Sequence, residues 1–316
     1  MEIRRLVFCG ELIRTPDAYD HKGILQSLEW LKNDGIIDDY AIVDPILNYA
    51  NEVVRQINAV NPDLVVHGNT DSLSSKIIPH VDARQVFFMG DFRPTLEEYQ
   101  PHWDRWIENS KGLSMLLLSN KSQLGMWQDA FGIPAKFWPH GCFVPDSLEY
   151  DPKQEKDLVF IGSHNWSGSL QKRAELIKTI EGMSPVKISH VNGDGTEGRN
   201  RVWRDMAKLY HSSKMVLDIS HYWDVDSYAS GRFWYSAGLG ACSITKRFPN
   251  CEDFYKDKEH KAYFDTPEEA VELIEHYLSR PKERQAMKLR AYEKNKKDHN
   301  YRKRFTDLFK MLDGNE

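Results

Sequence analysis

The chain has little of what usually assigns a protein at sight. Only four cysteines occur in 316 residues, Cys9, Cys142, Cys242 and Cys251, and none forms a Cys-x-x-Cys pair. That spacing argues against both a zinc site and a disulfide framework and predicts reduced, mostly buried thiols. Neither sign of charge dominates, because 42 Lys and Arg stand against 47 Asp and Glu for a net charge of −5. No apolar stretch approaches the ~18 to 20 residues that span a bilayer, and the richest run, Leu113 to Leu118, is only strand-sized. Met1-Glu2-Ile3-Arg4-Arg5 leads into no extended apolar segment or small-residue cleavage site, so a secretory signal is not expected and a cytoplasmic location is. Internal repeats and low-complexity tracts are lacking too. With 41% hydrophobic and 12% aromatic residues, the composition excludes disorder as the dominant state.

At roughly 150 residues per domain, the length allows two domains, each able to bury its own core. Short apolar runs ending in Gly, Asp or another turn signal recur at Leu6–Gly10, Tyr40–Asp44, Leu64–Gly68, Gln85–Gly90, Leu113–Ser119 and Ala135–Pro139. Between them lie amphipathic segments at Ile24–Leu31, Ile46–Val60, Ser72–Ile78 and Ser122–Phe131. Runs of this kind separated by helices predict a parallel sheet covered on both faces.

After the polar, linker-like stretch Ser147–Lys156 the pattern restarts with strands at Leu158–Gly162, Val186–Val191, Met215–Ile219 and Ala241–Thr245. Helices are expected at Lys172–Ile180, Val202–Tyr210 and Arg232–Leu239, followed by a helical tail from Thr266. In that tail Thr266-Pro267-Glu268-Glu269 reads as an N-cap, an N1 proline and a capping-box glutamate. The expectation is a doubly wound α/β protein of two Rossmann-like domains, residues 1–150 and 151–316, whose strand C-terminal ends face a cleft.

The densest constellation is Ser230-Gly231-Arg232-Phe233-Trp234-Tyr235-Ser236-Ala237-Gly238-Leu239-Gly240-Ala241. Small residues before a helix free backbone amides to meet a phosphate, and Arg232 adds charge there. A helix capped by Ser230, with glycines serving only packing, fits the same letters.

This segment resembles the pattern Ser-x-Arg-x-x-Glu-Ala-x-x-x-Gly-Ala of group-1, CgeB-like glycosyltransferases, which have the GT-B fold. Asp157-Leu158-Val159-Phe160-Ile161-Gly162-Ser163 with Lys172-Arg173, Thr266–Ala270 with Leu278–Arg284, and His299-Asn300-Tyr301-Arg302-Lys303-Arg304-Phe305 extend the resemblance over residues 157–309. It implies a glycosyltransferase that binds a nucleotide sugar, a UDP-sugar, on its C-terminal domain and requires no metal or other cofactor. By the same resemblance, Gly162, Ser163, Arg173, Ser230, Gly231, Arg232 and Tyr235 are the donor-binding set, with Lys172 a further candidate. Classical retaining relatives carry two glutamates separated by seven residues, and here Ser227 and Tyr235 take those places. A tyrosine hydroxyl can hydrogen-bond a ribose but is not a bidentate anionic acceptor.

Asn192-Gly193-Asp194-Gly195 follows a strand and suits either a nucleoside border or a plain turn. His221-Tyr222-Trp223-Asp224-Val225-Asp226 has an aromatic and acidic composition suited to sugar recognition, or to a surface loop over a buried Trp. Its Asp-x-Asp letters are also those of metal-dependent transferases. The N-terminal domain would present the acceptor, and glycosyl transfer needs a base within reach of the acceptor hydroxyl. Asp91 after the fourth strand is the first choice as catalytic base, followed by Glu11 and Asp71; His140 lies beside the linker.

Between Arg280 and Arg304 eleven basic residues face three acidic ones, a local net of +8. Such a tail fits a solvated helix face, or contact with the phosphates of nucleic acid or anionic lipid headgroups. The acceptor is therefore expected to be a saccharide, glycoconjugate or small molecule, with hydroxylated bases in DNA as the alternative. A nucleotide-sugar epimerase of the same fold and a degenerate binding protein are the competing functions.

Overall fold

The computed structural model describes residues 2–13, 19–68, 72–92, 100–148, 156–162, 170–191 and 206–314. The chain divides into two compact units, one comprising Met1–Pro16, Ile24–His140 and Tyr301–Glu316, the other Asp17–Gly23 and Gly141–Asn300. This differs from the expected division at residue 150 and places the last helix in the first unit.

Unit 1 is a six-stranded, fully parallel sheet. Its strands are β1 (Arg5–Cys9), β2 (Asp39–Val43), β3 (Leu64–His67), β4 (Arg84–Met89), β5 (Met115–Leu118) and β6 (Ala135–Phe137), in the order β2-β1-β3-β4-β5-β6. β3 and β5 are buried at every position, as continuous Leu and Val runs demand when both faces are covered. The covering helices include α1 (Tyr19–Asn33), α2 (Ala50–Val60), α3 (Gln100–Asn109) and α4 (Leu124–Phe131). α3 was not expected, because Gln100-Pro101-His102 opens it with polar residues. Its Trp103 and Trp106, three residues apart on one face, pack with Trp127 of α4. Ser72–Ile78, expected as a short helix, is a set of turns leading into a single 3-10 turn at Ile78–His80.

Unit 2 is a five-stranded parallel sheet of β7 (Lys156–Ile161), β8 (Ile188–Val191), β9 (Ser213–Asp218), β10 (Ser243–Lys246) and β11 (Ala262–Phe264), ordered β11-β10-β9-β7-β8. Its helices are α5 (Gln171–Met183), α6 (206–211), α7 (Gly231–Gly238), α8 (Pro267–Leu278) and α9 (Pro281–Asp298). β11 escaped the sequence reading because only three residues pair with β10, after a run of charged side chains. The capping box opens α8 as expected: Glu269 N–H donates to Thr266 Oγ1 at 3.3 Å, and the Glu269 carboxylate accepts the Thr266 N–H at 3.3 Å.

α10 (Tyr301–Leu312) returns to unit 1 because Tyr301, Phe305, Leu308 and Leu312 form one apolar stripe that fills the face bearing Leu6, Phe8, Leu64 and Val66. Each such side chain contributes ~1.5 to 3 kcal/mol on burial. Trp138 donates its indole N–H to the Arg304 carbonyl at 2.7 Å, and Arg304 donates to the Pro139 and His140 carbonyls at 3.1 and 3.2 Å.

Candidate active site

In unit 2 the chain runs from β7 to β8 on one side and then to β9 on the other. The C-terminal ends of β7 and β9 therefore form a topological switch point, where open α/β sheets bind ligands. Arg232, in the first turn of α7, spans it. Its Nε donates to the carbonyl of Ile161 at the end of β7, and its Nη1 donates to that of Ile219 just after β9 at 2.8 Å. The guanidinium lies 4.8 Å from the centroid of Phe160. Arg173, near the start of α5 and 5% exposed, lies 5.8 Å from the same ring. Burial first, and the neighbouring Arg232 charge second, push the Arg173 guanidinium down to about 9. Two cations held over one aromatic ring repel each other, and an anion placed between them would relieve both.

Gly162 is at φ +151°, and a Cβ there would collide with Arg232 Nη2. Glycine is what lets the guanidinium lie against the backbone at the strand end. Ser230 occupies the N-cap position of α7, with φ −63° and ψ 158°, but its hydroxyl makes no capping bond. Its N–H instead donates to Ser220 Oγ at 3.1 Å. The first turn of α7 thus lacks a side-chain cap, the condition in which a helix N-terminus serves an anion. Tyr235 folds back over this turn, its hydroxyl 2.6 Å from where a Cβ on Gly231 would stand. Of the expected donor set the structure gathers Gly162, Arg173, Ser230, Gly231, Arg232 and Tyr235 around this strand edge; Ser163 lies outside the described residues, as does Asn192–Gly195.

The loop after β9 borders a cavity of about 680 Å³, which Trp223 and Asp224 line together with Lys246 at the end of β10 and Phe248 and Asn250 beyond it; the described residues of its lining include none of the switch-point set. Lys172 is an exposed side chain that pairs with Asp224 at 3.4 Å and lies 5.5 Å from the Trp223 ring. His221 stacks on Tyr222 with centroids 4.0 Å apart. Asp226 takes different partners from Asp224, accepting from Ser227 Oγ at 2.7 Å and Asn250 Nδ2 at 2.6 Å. Ser227 is itself buried at φ +57°, a conformation costly for a residue other than glycine and concentrated at functional sites.

In unit 1, Glu11 follows β1 and Asp91 follows β4, on the same C-terminal edge with β3 between them. At ~4.8 Å per strand they are roughly 10 Å apart along that edge. His140 donates from Nε2 to the Gly90 carbonyl at 2.9 Å and packs edge-on against Phe88, fixing the backbone that leads into Asp91. Asp71 lies outside the described residues. His67, the last residue of β3, is a core residue: fully buried, it donates to Gln85 Oε1 at 3.0 Å, and burial pushes its imidazole down to about 4.

The basic tail is mostly spent on structure. Arg284 donates to the Tyr277 and Leu278 carbonyls that end α8, Lys288 to the Ser213 carbonyl at 3.2 Å, and Arg290 to the Glu259 carbonyl at 2.8 Å. Lys294, Arg302 and Lys303 pair with Asp298, Asp34 and Asp307. Sequence reasoning also missed Phe160 as the platform for two guanidiniums, since within Leu158–Ile161 it reads only as one more strand residue.

These features define a GT-B architecture: two parallel α/β units, the second with a cationic strand edge at its switch point. Solved structures agree in fold. Sucrose-phosphate synthase from Thermosynechococcus elongatus superposes with a TM-score of 0.64 at 9% identity, covering 99% of this chain and 100% of that one. HepE from Anabaena, solved with UDP-glucose, gives 0.62 at 9% identity over 98% and 99%. A structure described as trehalose-6-phosphate from E. coli, bound with UDP-2-fluoro glucose, gives 0.61 at 12% identity over 96% and 98%. No curated protein sequence matches the chain. Residues 171–310, a little under half of the chain, match the family model described as glycosyl transferase-like, and together with the fold this reads the chain as a glycosyltransferase.

Proposed function

We propose that unit 2 binds a UDP-sugar, with its diphosphate over Phe160 between Arg173, Arg232 and the N-terminus of α7, and that unit 1 presents the acceptor. The observation that carries this reading is the pair of guanidiniums held over one ring at the switch point, where burial first and the Arg232 charge second lower the Arg173 pKa. Structural neighbours crystallised with UDP-glucose and UDP-2-fluoro glucose support the choice of nucleotide.

In this reading Asp91 accepts the proton of the acceptor hydroxyl, with Glu11 or Asp71 as its substitute. The oxygen so freed forms a bond to the anomeric carbon of the donor sugar. The bond from that carbon to the diphosphate breaks, and UDP departs with the electron pair. Charge building on the leaving phosphate meets two fixed cations and the α7 dipole, an arrangement worth more in a water-poor site than in solution. The guanidiniums take the part that a divalent metal would otherwise play.

The acceptor is a saccharide, glycoconjugate or small molecule. A DNA acceptor is not favoured, because the basic residues between Arg280 and Arg304 are largely bound to carbonyls and carboxylates of the protein itself. Placement in the CgeB-like branch and a cytoplasmic location belong to the same proposal. Four free, buried cysteines suit a reducing compartment. No helix among the described residues is long and apolar enough to cross a membrane.

The test is a panel of nucleotide sugars, with binding read by thermal shift and release of nucleoside diphosphate measured with and without saccharide acceptors. Stabilisation by UDP together with acceptor-dependent UDP release supports the proposal. Conversion of a nucleotide sugar to its epimer without release, or binding with no turnover on any acceptor, overturns it.

A further inference from the structure

Behind the switch point lies a buried ionic cluster that no step of the transfer uses. Asp218 closes β9 and Lys261 immediately precedes β11; their side chains are 1% and 0% exposed. Lys261 Nζ lies 3.3 Å from Asp218 Oδ2 and donates to Ser236 Oγ at 2.7 Å, while that hydroxyl lies 3.3 Å from the same carboxylate oxygen. The ammonium is 4.5 Å from the Phe233 centroid and 5.4 Å from that of Tyr255. Asp218 Oδ1 takes no hydrogen bond among the described residues.

An ion pair taken out of water in this way rarely stabilises more than apolar residues of similar bulk would, and a carboxylate oxygen without a donor adds to its cost. Its position suggests what it does instead. Ser236 and Arg232 are four residues apart on α7 and therefore share a face. Asp218 and Ile219 are consecutive at the end of β9. Arg232 binds the Ile219 carbonyl, and one turn on, Ser236 meets the Asp218 carboxylate. α7 is thus tied to the end of β9 by two rungs one helical turn apart, the second of them braced from β11 by Lys261.

We infer that Asp218, Lys261 and Ser236 form a positioning cluster for the donor site, fixing the roll and axial height of α7 so that Arg232 and the first-turn amides face the donor phosphates. The inference rests on the reading of that edge as the diphosphate site. Without the second rung α7 could rotate about its axis, and a rotation of about 25° moves its Cα atoms, at a radius of ~2.3 Å, by about 1 Å, and the Arg232 guanidinium, farther from the axis, by more. A displacement of that size is enough to impair preorganised contacts.

The experiment replaces the pair together, Asp218→Leu with Lys261→Met, alongside Ser236→Ala and Ser236→Thr, and reads thermal stability, the UDP dissociation constant by calorimetry, and KM for donor and acceptor separately. Apolar replacement of the whole pair is expected to keep the melting temperature near that of the wild type. The cluster's role then shows as a UDP dissociation constant raised tenfold or more and a raised donor KM, with the acceptor KM unchanged. Ser236→Ala should raise the UDP dissociation constant at least threefold, and Ser236→Thr, which keeps the hydroxyl, should restore it. A folded double variant that binds UDP as the wild type does overturns the inference. If the double variant does not fold, an unaltered dissociation constant in Ser236→Ala overturns it in the same way. Arg232→Ala, measured in parallel, separates the two levels: if it too binds UDP normally, the donor-site reading has failed, and if it alone loses affinity, only the positioning role has.

Discussion

Arg232→Ala removes the guanidinium's hydrogen bonds to the Ile161 and Ile219 carbonyls, its stacking on Phe160 and one of two positive charges at the switch point. A hydrogen bond to a charged group contributes ~1.5 to 3 kcal/mol. The freed carbonyls lie at strand ends, where water replaces part of what is lost, so the folding cost falls near ~1 to 2 kcal/mol and the melting temperature drops by several degrees. Losing one charge-assisted contact with the diphosphate costs ~1.5 to 3 kcal/mol of binding, or about 10- to 150-fold in dissociation constant. Abolition is not expected. Arg173 loses its repulsive neighbour, so its depressed pKa rises and the remaining cation is held more firmly. Calorimetric titration with UDP reads the affinity, and thermal denaturation of the same sample confirms that the variant is folded. Arg232→Lys should fall between, because one ammonium keeps the charge but cannot bridge two carbonyls and stack on Phe160 at once. A folded Arg232→Ala protein with wild-type affinity for UDP would refute the account of the switch point.

Asp91→Asn is expected to lower turnover by ~100- to 10,000-fold while UDP affinity holds; if turnover survives there and vanishes in Glu11→Gln, the base is Glu11. In Gly162→Ala the new Cβ meets Arg232 Nη2 at a φ that glycine alone tolerates well, so UDP binding should weaken by about tenfold or more and stability fall by ~1 to 3 kcal/mol; an unchanged titration would show that the guanidinium can move aside freely. Burial holds His67 at about 4, below the ~6.5 of an unfolded histidine, so the unfolded chain takes up the proton first. Its contribution is then complete above about pH 7 and lost as pH falls toward 4, by ~3 kcal/mol in all, which urea denaturation across that range should register and His67→Gln should flatten. An equally steep decline in the variant would assign the acid sensitivity elsewhere. Lys296→Glu with Lys297→Glu should leave transfer to a saccharide acceptor unchanged; a binding slope near −0.9 per neutralised phosphate on duplex DNA, lost in this double variant, would reverse the acceptor assignment.

Sequence alone determined the secondary structure wherever burial imposes a period. Apolar runs such as Leu64–Val66 and Leu116–Leu118 have one stable use, a strand covered on both faces, and the Thr266–Glu269 capping box specifies its own helix start. The Ser230–Ala241 segment likewise marked a strand-end helix with glycines, because close backbone approach restricts residue type locally. What the sequence left open depends on partners distant along the chain. His67 and Asp91 look alike as polar residues at strand ends, yet one is sealed in the core against Gln85 and the other exposed. Eleven basic residues between Arg280 and Arg304 read as a charged face until Arg284, Lys288 and Arg290 are seen bonded to carbonyls of other elements. Lys261, 43 residues from Asp218, sits in a charged stretch that gives no hint of a fully buried ammonium. Periodicity reports what a residue does to its own element; charge acquires its meaning only when tertiary packing decides which groups leave water together.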